Sequence, residues 1–125
     1  MAVAPLASDL TLGEIYDLLD RGLISDEMAE RGKEVIDLLF VPSTVYAAIG
    51  PDGGDLLFYW VAGRWSVSID LYSETVAGDD TWWSVRRDGE IVSTGVAPGL
   101  PRELAGHLAE FSAYVESVNP NWRSL

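Results

Sequence analysis

The chain has 125 residues, with 20 acidic side chains against 8 basic ones for a formal net charge of −12, one histidine and no cysteine. That length fits one domain, and its 48% hydrophobic and 22% charged content excludes wholesale disorder. The missing cysteines exclude disulfides and thiolate chemistry. The charge balance leaves no room for a large basic patch, which argues against direct nucleic-acid binding and against anionic membranes.

No apolar run reaches the length of a membrane span, the longest being strand-sized at residues 56–62. The opening Met1-Ala2-Val3-Ala4-Pro5 lacks the basic segment of a secretory leader. A cysteine-free chain suits a reducing compartment, so a cytoplasmic location is expected.

Residues 1–10 have no period and are expected to form a loosely ordered lead-in. Thr11 then opens a helix, with Glu14 at capping-box spacing and Leu12, Ile15, Leu18 and Leu19 at helical spacing. Gly22 is a natural stop. Ser25 caps a second helix with Asp26 and Glu27 in its first turn, where the helix dipole favours negative charge. Its apolar stripe is Met28, Val35, Ile36 and Leu39 beside Gly32, and Pro42 ends it. Arg31 and Lys33 are expected to offset the acidic face in part.

After Pro42 the period becomes alternating. Residues 44–49 read as a strand closed by the turn cluster Gly50-Pro51-Asp52-Gly53-Gly54. A turn at Ala62-Gly63 would pair Trp60 with Trp65, Phe58 with Val67 and Leu56 with Ile69. One face would then carry Leu56, Phe58, Trp60, Trp65, Val67, Ile69 and Leu71, and the other Leu57, Tyr59, Ser66, Ser68, Asp70 and Tyr72. Residues 73–80 read as an acidic connection. Asp88-Gly89 is a type I′ hairpin signal that would pair Val85 with Val92 and Trp83 with Thr94. Trp83, Val85 and Val92 would face the core, and Trp82, Ser84, Arg86, Ile91 and Ser93 would face outward. Pro101 suits the first turn of a last helix with the stripe Leu104, Leu108, Phe111, Val115 and Val118, ended by Asn119-Pro120. Trp122, in the tail 119–125, is expected to dock back and pin the C-terminus, the alternative being an anchor for another chain.

The order predicts a single α+β domain over 1–125. It would be a two-layer sandwich in which two N-terminal helices and one C-terminal helix cover one face of an antiparallel meander of about five strands. The other face is left to water or a partner.

Chemistry is sparse. The lone histidine, His107, sits at the edge of the last helix's stripe with no serine in a nucleophile-elbow context. Ligands for zinc are too few. Asp52, Asp55, Asp79 and Asp80 lack the spacing of a calcium loop and read as turn residues. Asp70 reads as a cross-strand partner among Ser68, Tyr72 and Arg86. No glycine-rich loop leads into a helix carrying Lys-Ser/Thr. No cofactor and no enzymatic activity are expected.

Two surfaces remain. The outer sheet face combines Tyr59, Asp70, Tyr72, Trp82 and Arg86 with small serines, and aromatics and arginine dominate interface hot spots. The bland reading of that face is a local stack of Arg86 on Trp82 in water. The second surface is acidic: Asp17, Asp20, Glu27, Glu30, Glu34 and Asp37 on the first two helices. Spaced carboxylates there would imitate a phosphate backbone, although such runs also occur as solvated helix faces.

Residues 25–72, with Pro51-Asp52-Gly53-Gly54, Leu57, Trp60 and Ser66-Val67-Ser68-Ile69-Asp70-Leu71, resemble a group of small bacterial and phage proteins. In that group a helix leads through a proline to a PDGG–strand–Trp hairpin. Where the group has an acidic residue before the tryptophan, this chain has Tyr59. The resemblance implies neither an activity nor a site residue.

Three functional expectations follow. The first is a non-enzymatic protein-binding module that inhibits or neutralises another protein, in a phage anti-defence or immunity/antitoxin-like setting, with a partner that is basic or itself binds nucleic acid. The second is a small-ligand binder or weak hydrolase with a pocket between sheet and helices, using Asp70, Arg86 or His107. The third is a homodimer or larger homo-oligomer pairing through the sheet face.

Overall fold

A computed structural model describes residues 6–122. Three helices, α1 (Ala7–Asp20), α2 (Asp26–Leu39) and α3 (Glu103–Val118), pack on one face of a five-stranded sheet. Its strands are β1 (Ala48–Asp52), β2 (Asp55–Ala62), β3 (Trp65–Val76), β4 (Asp79–Arg87) and β5 (Glu90–Ala97), adjacent in sequence order and all antiparallel. This is the α+β meander expected. No helix among the described residues is long and apolar enough to cross a membrane.

Helix α1 begins four residues before Thr11. Leu6 stands at the N-cap, its carbonyl accepting from the Asp9 and Leu10 amides, and Thr11 is a buried packing residue inside the helix. Residues 7–10 are therefore helical rather than a lead-in, while residues 1–5 lie outside those described. The stop is as read. Gly22 takes φ +72°, its amide reaches Leu19 O and that of Leu23 reaches Leu18 O, the two bonds of a Schellman motif. Ser25 Oγ accepts from Met28 N at 3.1 Å and opens α2.

Between α2 and the sheet the chain runs as a loop, not as a strand from residue 44. Val45 has both backbone groups engaged by side chains: its amide donates to Ser112 Oγ at 3.2 Å and its carbonyl accepts from Trp60 Nε1 at 3.0 Å. Neither is left for a ladder, so pairing begins at Ala48 opposite Tyr59 and continues through Pro51. As an edge residue Pro51 needs no ladder amide.

All four hairpins have two-residue turns. Gly53-Gly54, Ala77-Gly78 and Asp88-Gly89 have positive φ at both positions, the type I′ pattern, and Gly63-Arg64 has it at Gly63 alone, as type II′ turns do. The β2–β3 turn is thus Gly63-Arg64, one residue later than expected, and Ala62 pairs with Trp65, Trp60 with Val67 and Phe58 with Ile69. Moving a turn by one residue changes the pairing by two positions, and a shift of two leaves every side chain on its face. Residues 73–76 and 79–80 prolong β3 and β4 past an irregularity after Leu71 instead of forming a connection.

In the β4–β5 pair a bulge makes the difference. Arg86 pairs with Ile91 but Val85 pairs with Ser93, so Val92 is the extra residue. Val92 is 52% exposed instead of core, Thr94 turns outward, and Ser93 turns inward to accept from Trp83 Nε1 at 3.1 Å.

The core lies between the layers, around Ile15, Phe58, Trp60, Leu104 and Phe111. Phe111 meets Trp65 edge-on at 5.8 Å between centroids. Val118 is solvent-facing at 61% exposure, past the end of the α3 stripe. Trp122 docks as expected, edge-on to Tyr46 at 4.9 Å, with its indole N–H donated to Glu116. The rest of the tail, 123–125, lies outside the described residues.

Arg31 does not belong to the acidic surface. It reaches across to the sheet, where Nη1 donates to Tyr72 O at 2.5 Å, Nη2 donates to Asp80 O at 2.7 Å, and Nη2 stands 3.7 Å from Asp80 Oδ1. That carboxylate also accepts from Gly99 N at 2.9 Å and from the Thr81 hydroxyl at 3.0 Å. Partial burial alone would raise the Asp80 carboxyl. The Gly99 amide, the Thr81 hydroxyl and the Arg31 guanidinium together hold it below its ordinary value. One arginine thereby ties α2 to β3, β4 and the loop before α3.

Candidate functional site

With all three helices on one side, none of the described residues covers the opposite face of the sheet, and strand register orders its side chains into rows. The middle row is Tyr59, Ser68, Ser84 and Thr94. Two residues along on one side lie Leu57, Asp70, Trp82 and Val96, and on the other Val61, Ser66, Arg86 and Ile91. The centre is low because it holds serines, and the rims are apolar, with Val61, Ile91 and Val96 each more than half exposed. Tyr59 is 38% exposed.

Of the residues expected on this face, Asp70 and Trp82 stand directly opposite one another. Tyr59 stands one row away. Tyr72 lies beyond Asp70, at the end nearest the β1–β2 turn. Arg86 is separated from Trp82 by four residues along β4, roughly 13 Å at strand rise, so it neither stacks on Trp82 nor reaches Asp70. The guanidinium–indole contact that forms is on the inner side, Arg87 over Trp65 at 4.4 Å. Arg86 has no ion-pair partner among the described residues.

The face is electrically polarised. Burial, then the neighbouring Asp55 and Asp52 carboxylates, push the Asp70 carboxyl above its ordinary value, and its Oδ1 is enclosed with no hydrogen-bond partner. Burial, then Asp70 and Asp55, raise the Tyr72 phenol. At the opposite end Arg64 and Arg86 line a shallow groove of about 230 Å³ with Tyr59 and Ser66. Arg64 Nη2 donates to Asp88 O there, at 3.3 Å.

The acidic residues lie on the other side of the molecule. Glu27, Glu30, Glu34 and Asp37 recur along α2 at intervals of three, four and three residues and form one exposed stripe. Asp17 and Asp20 are exposed on α1. Part of this charge is matched locally, Asp17 by Arg21 at 3.4 Å and Glu30 by Lys33 at 3.6 Å. Sheet face and acidic stripe point away from each other and cannot contact one patch on one partner.

The polar residues expected of a ligand pocket are not brought together. Asp70 and Arg86 are on the outer face, whereas His107 is on α3 behind the sheet. Among the described residues no group of three His, Asp or Glu side chains is placed to hold a metal ion.

Sequence reasoning missed Val96 and Thr94 as outer-face residues because it missed the bulge. The available signal was Gly95. Trp83, directly opposite on the inner face, covers a position that must lack a side chain. No family model, no curated protein and no solved structure matches the chain.

Proposed function

We propose that this chain is a non-enzymatic protein-binding module that docks a polypeptide on the outer face of its sheet, with inhibition or neutralisation of a partner as the role it serves. One observation carries the reading: five paired strands present Tyr59, Val61, Ile91 and Val96 to solvent around a serine floor, with none of the described residues covering them. Exposed apolar side chains gathered on one sheet face, beside an aromatic ring and an arginine, mark an interaction surface, whereas singly scattered exposed aliphatics are ordinary surface.

A second reading rests on the α2 stripe. Its four carboxylates, exposed on the side away from the sheet face, suit a basic partner such as a nucleic-acid-binding protein.

Capture with the tagged chain, in a lysate that also contains an untagged copy, tests both readings. Tyr59→Ser with Ile91→Ser should abolish the bound polypeptide while leaving the circular dichroism spectrum intact, and Glu30→Lys with Glu34→Lys should leave it bound. Retention by the sheet-face variant would overturn the first reading. Loss on charge reversal alone would establish the second.

A further inference from the structure

The rows of the outer face are complementary to themselves. Consider a two-fold axis lying in the plane of the face, across the strands and over Ser68 and Ser84. Rotation about it keeps each strand over its own counterpart and exchanges the rows on either side. Val61 then falls over Leu57, Ile91 over Val96 and Arg86 over Trp82, while Tyr59 and the serines meet themselves. Asp70 is the cross-strand neighbour of Trp82, one strand spacing of about 4.8 Å to the side. An arginine lying on that indole therefore reaches the carboxylate as well. Arg64, at the β2–β3 turn, comes over the Asp52–Asp55 turn, so the basic end of each face meets the acidic end of the other.

Charge selects this arrangement. An axis along the strands would leave the rows unexchanged and set Asp52, Asp55 and Asp70 of both copies at the same end, which like-charge repulsion disfavours. Pairing through the helices would oppose two acidic stripes. Sheets packed face to face stand about 10 Å apart, a gap an arginine spans, and the central serines permit that approach.

We infer that the occupant of the outer face is a second copy of this chain, related by a two-fold axis over Ser68 and Ser84 that places Arg86 of each copy on Trp82 and Asp70 of the other. The inference rests on the reading of this face as the docking surface. It gives an ion-pair partner to the Arg86 guanidinium, which has none among the described residues, and a cation to the Asp70 carboxylate, whose Oδ1 has no hydrogen-bond partner there. Both acidic helical layers then face outward, leaving the dimer able to take a basic partner on either side.

The test is the solution mass of the whole chain by sedimentation or light scattering across a dilution series. The wild type should show twice 13.6 kDa, falling on dilution. Each pair occurs twice in the dimer, so Arg86→Glu and Asp70→Arg should each weaken association on the order of 100-fold. The double swap in one chain should restore it. Arg86 is exposed, so Arg86→Glu leaves the fold unaltered, and Asp70→Asn, which also weakens pairing, serves should Asp70→Arg fail to fold. A monomeric wild type, or a dimer indifferent to these changes, overturns the inference. In either of those cases, loss of a captured foreign protein by the Tyr59→Ser, Ile91→Ser variant would leave the docking surface standing, and retention would remove it too.

Discussion

Gly95 lies directly against the indole of Trp83, its cross-strand partner: a Cβ built on Gly95 would stand 2.9 Å from both Cη2 and Cζ2 of the ring. The ring is rigid and is held by the bond from its Nε1 to Ser93 Oγ. Gly95→Ala should therefore destabilise the fold by about 1–3 kcal/mol, the range for overpacking, even though alanine restricts the unfolded chain. Urea unfolding measures this, and adding Trp83→Leu should recover part of the loss, because the two positions are coupled.

Gly32 sets a contest between two effects of known size. Alanine is favoured over glycine in a helix by about 1 kcal/mol. Here the added methyl carbon would stand 2.9 Å from Ile15 Cδ1 and from Leu56 Cδ2, forcing two buried side chains at the α1–α2–β2 junction to move. Overpacking of about 1–3 kcal/mol outweighs the propensity gain. Gly32→Ala should lower the urea midpoint, whereas Gly13→Ala on the open side of α1 should raise it.

Face assignment was the most legible property of this sequence, and the reason is arithmetic. Alternation has a period of two, so mistaking the β2–β3 turn by one residue shifted the register by two and left Trp60 and Val67 inside and Tyr59 and Ser68 outside. Apart from the β5 bulge, which turned Val92 and Thr94 outward and Ser93 inward, what failed were features that depend on a distant partner. Thr11 looked like a cap because the burial of Thr11 in the folded protein is invisible locally. Val45 looked like strand because nothing nearby says that Ser112 and Trp60 occupy its backbone groups. Arg31 looked like charge compensation because Tyr72 and Asp80 are more than forty residues away. The candidate residues were placed on the outer face, where the register puts them, but with the wrong neighbours, since Arg86 lies with Val61 and Ser66 and not with Asp70.

Arg31 should resist conservative replacement. Its two nitrogens serve carbonyls on two different strands, which a single ammonium cannot do in the same geometry. Arg31→Lys should cost about 2–3 kcal/mol, the scale of a charge-assisted hydrogen bond lost to a part-buried acceptor. Arg31→Met should cost at least as much. Urea unfolding at neutral pH compares them.

Asp80 supplies a pH signature. Its folded-state carboxyl lies below the ordinary 3.8. Its stabilisation is therefore fully present above that value and is lost as pH falls through the lower folded value. Asp80→Asn should be less stable than wild type at neutral pH. The gap between their melting temperatures should close at acidic pH, and a gap independent of pH would show that the carboxylate charge contributes nothing.

Asp70 carries the opposite sign. Its folded-state carboxyl is raised, so the folded monomer disfavours the ionised form. The penalty is absent below the ordinary 3.8 and grows as pH rises through the raised value. In dilute solution at neutral pH, Asp70→Asn should raise the melting temperature. In concentrated solution, where Arg86 of a second copy would meet this carboxylate, the same substitution should lower it. A change of sign with concentration is the expected result.

Every strand joins the next through a turn of two residues, so every strand pairing in the sheet is between neighbours in sequence. Hairpins of this kind close in about 1–10 μs, and any of the four can form first and recruit the adjacent strand. The long closures in the chain are those that bring the helices onto the finished sheet, α2 to β3 and β4 through Arg31 and α3 to the Val45 loop through Ser112. Folding should therefore be limited by covering the sheet with its helices, and until then the inner face is as open as the outer one, so a second chain could pair on the wrong side.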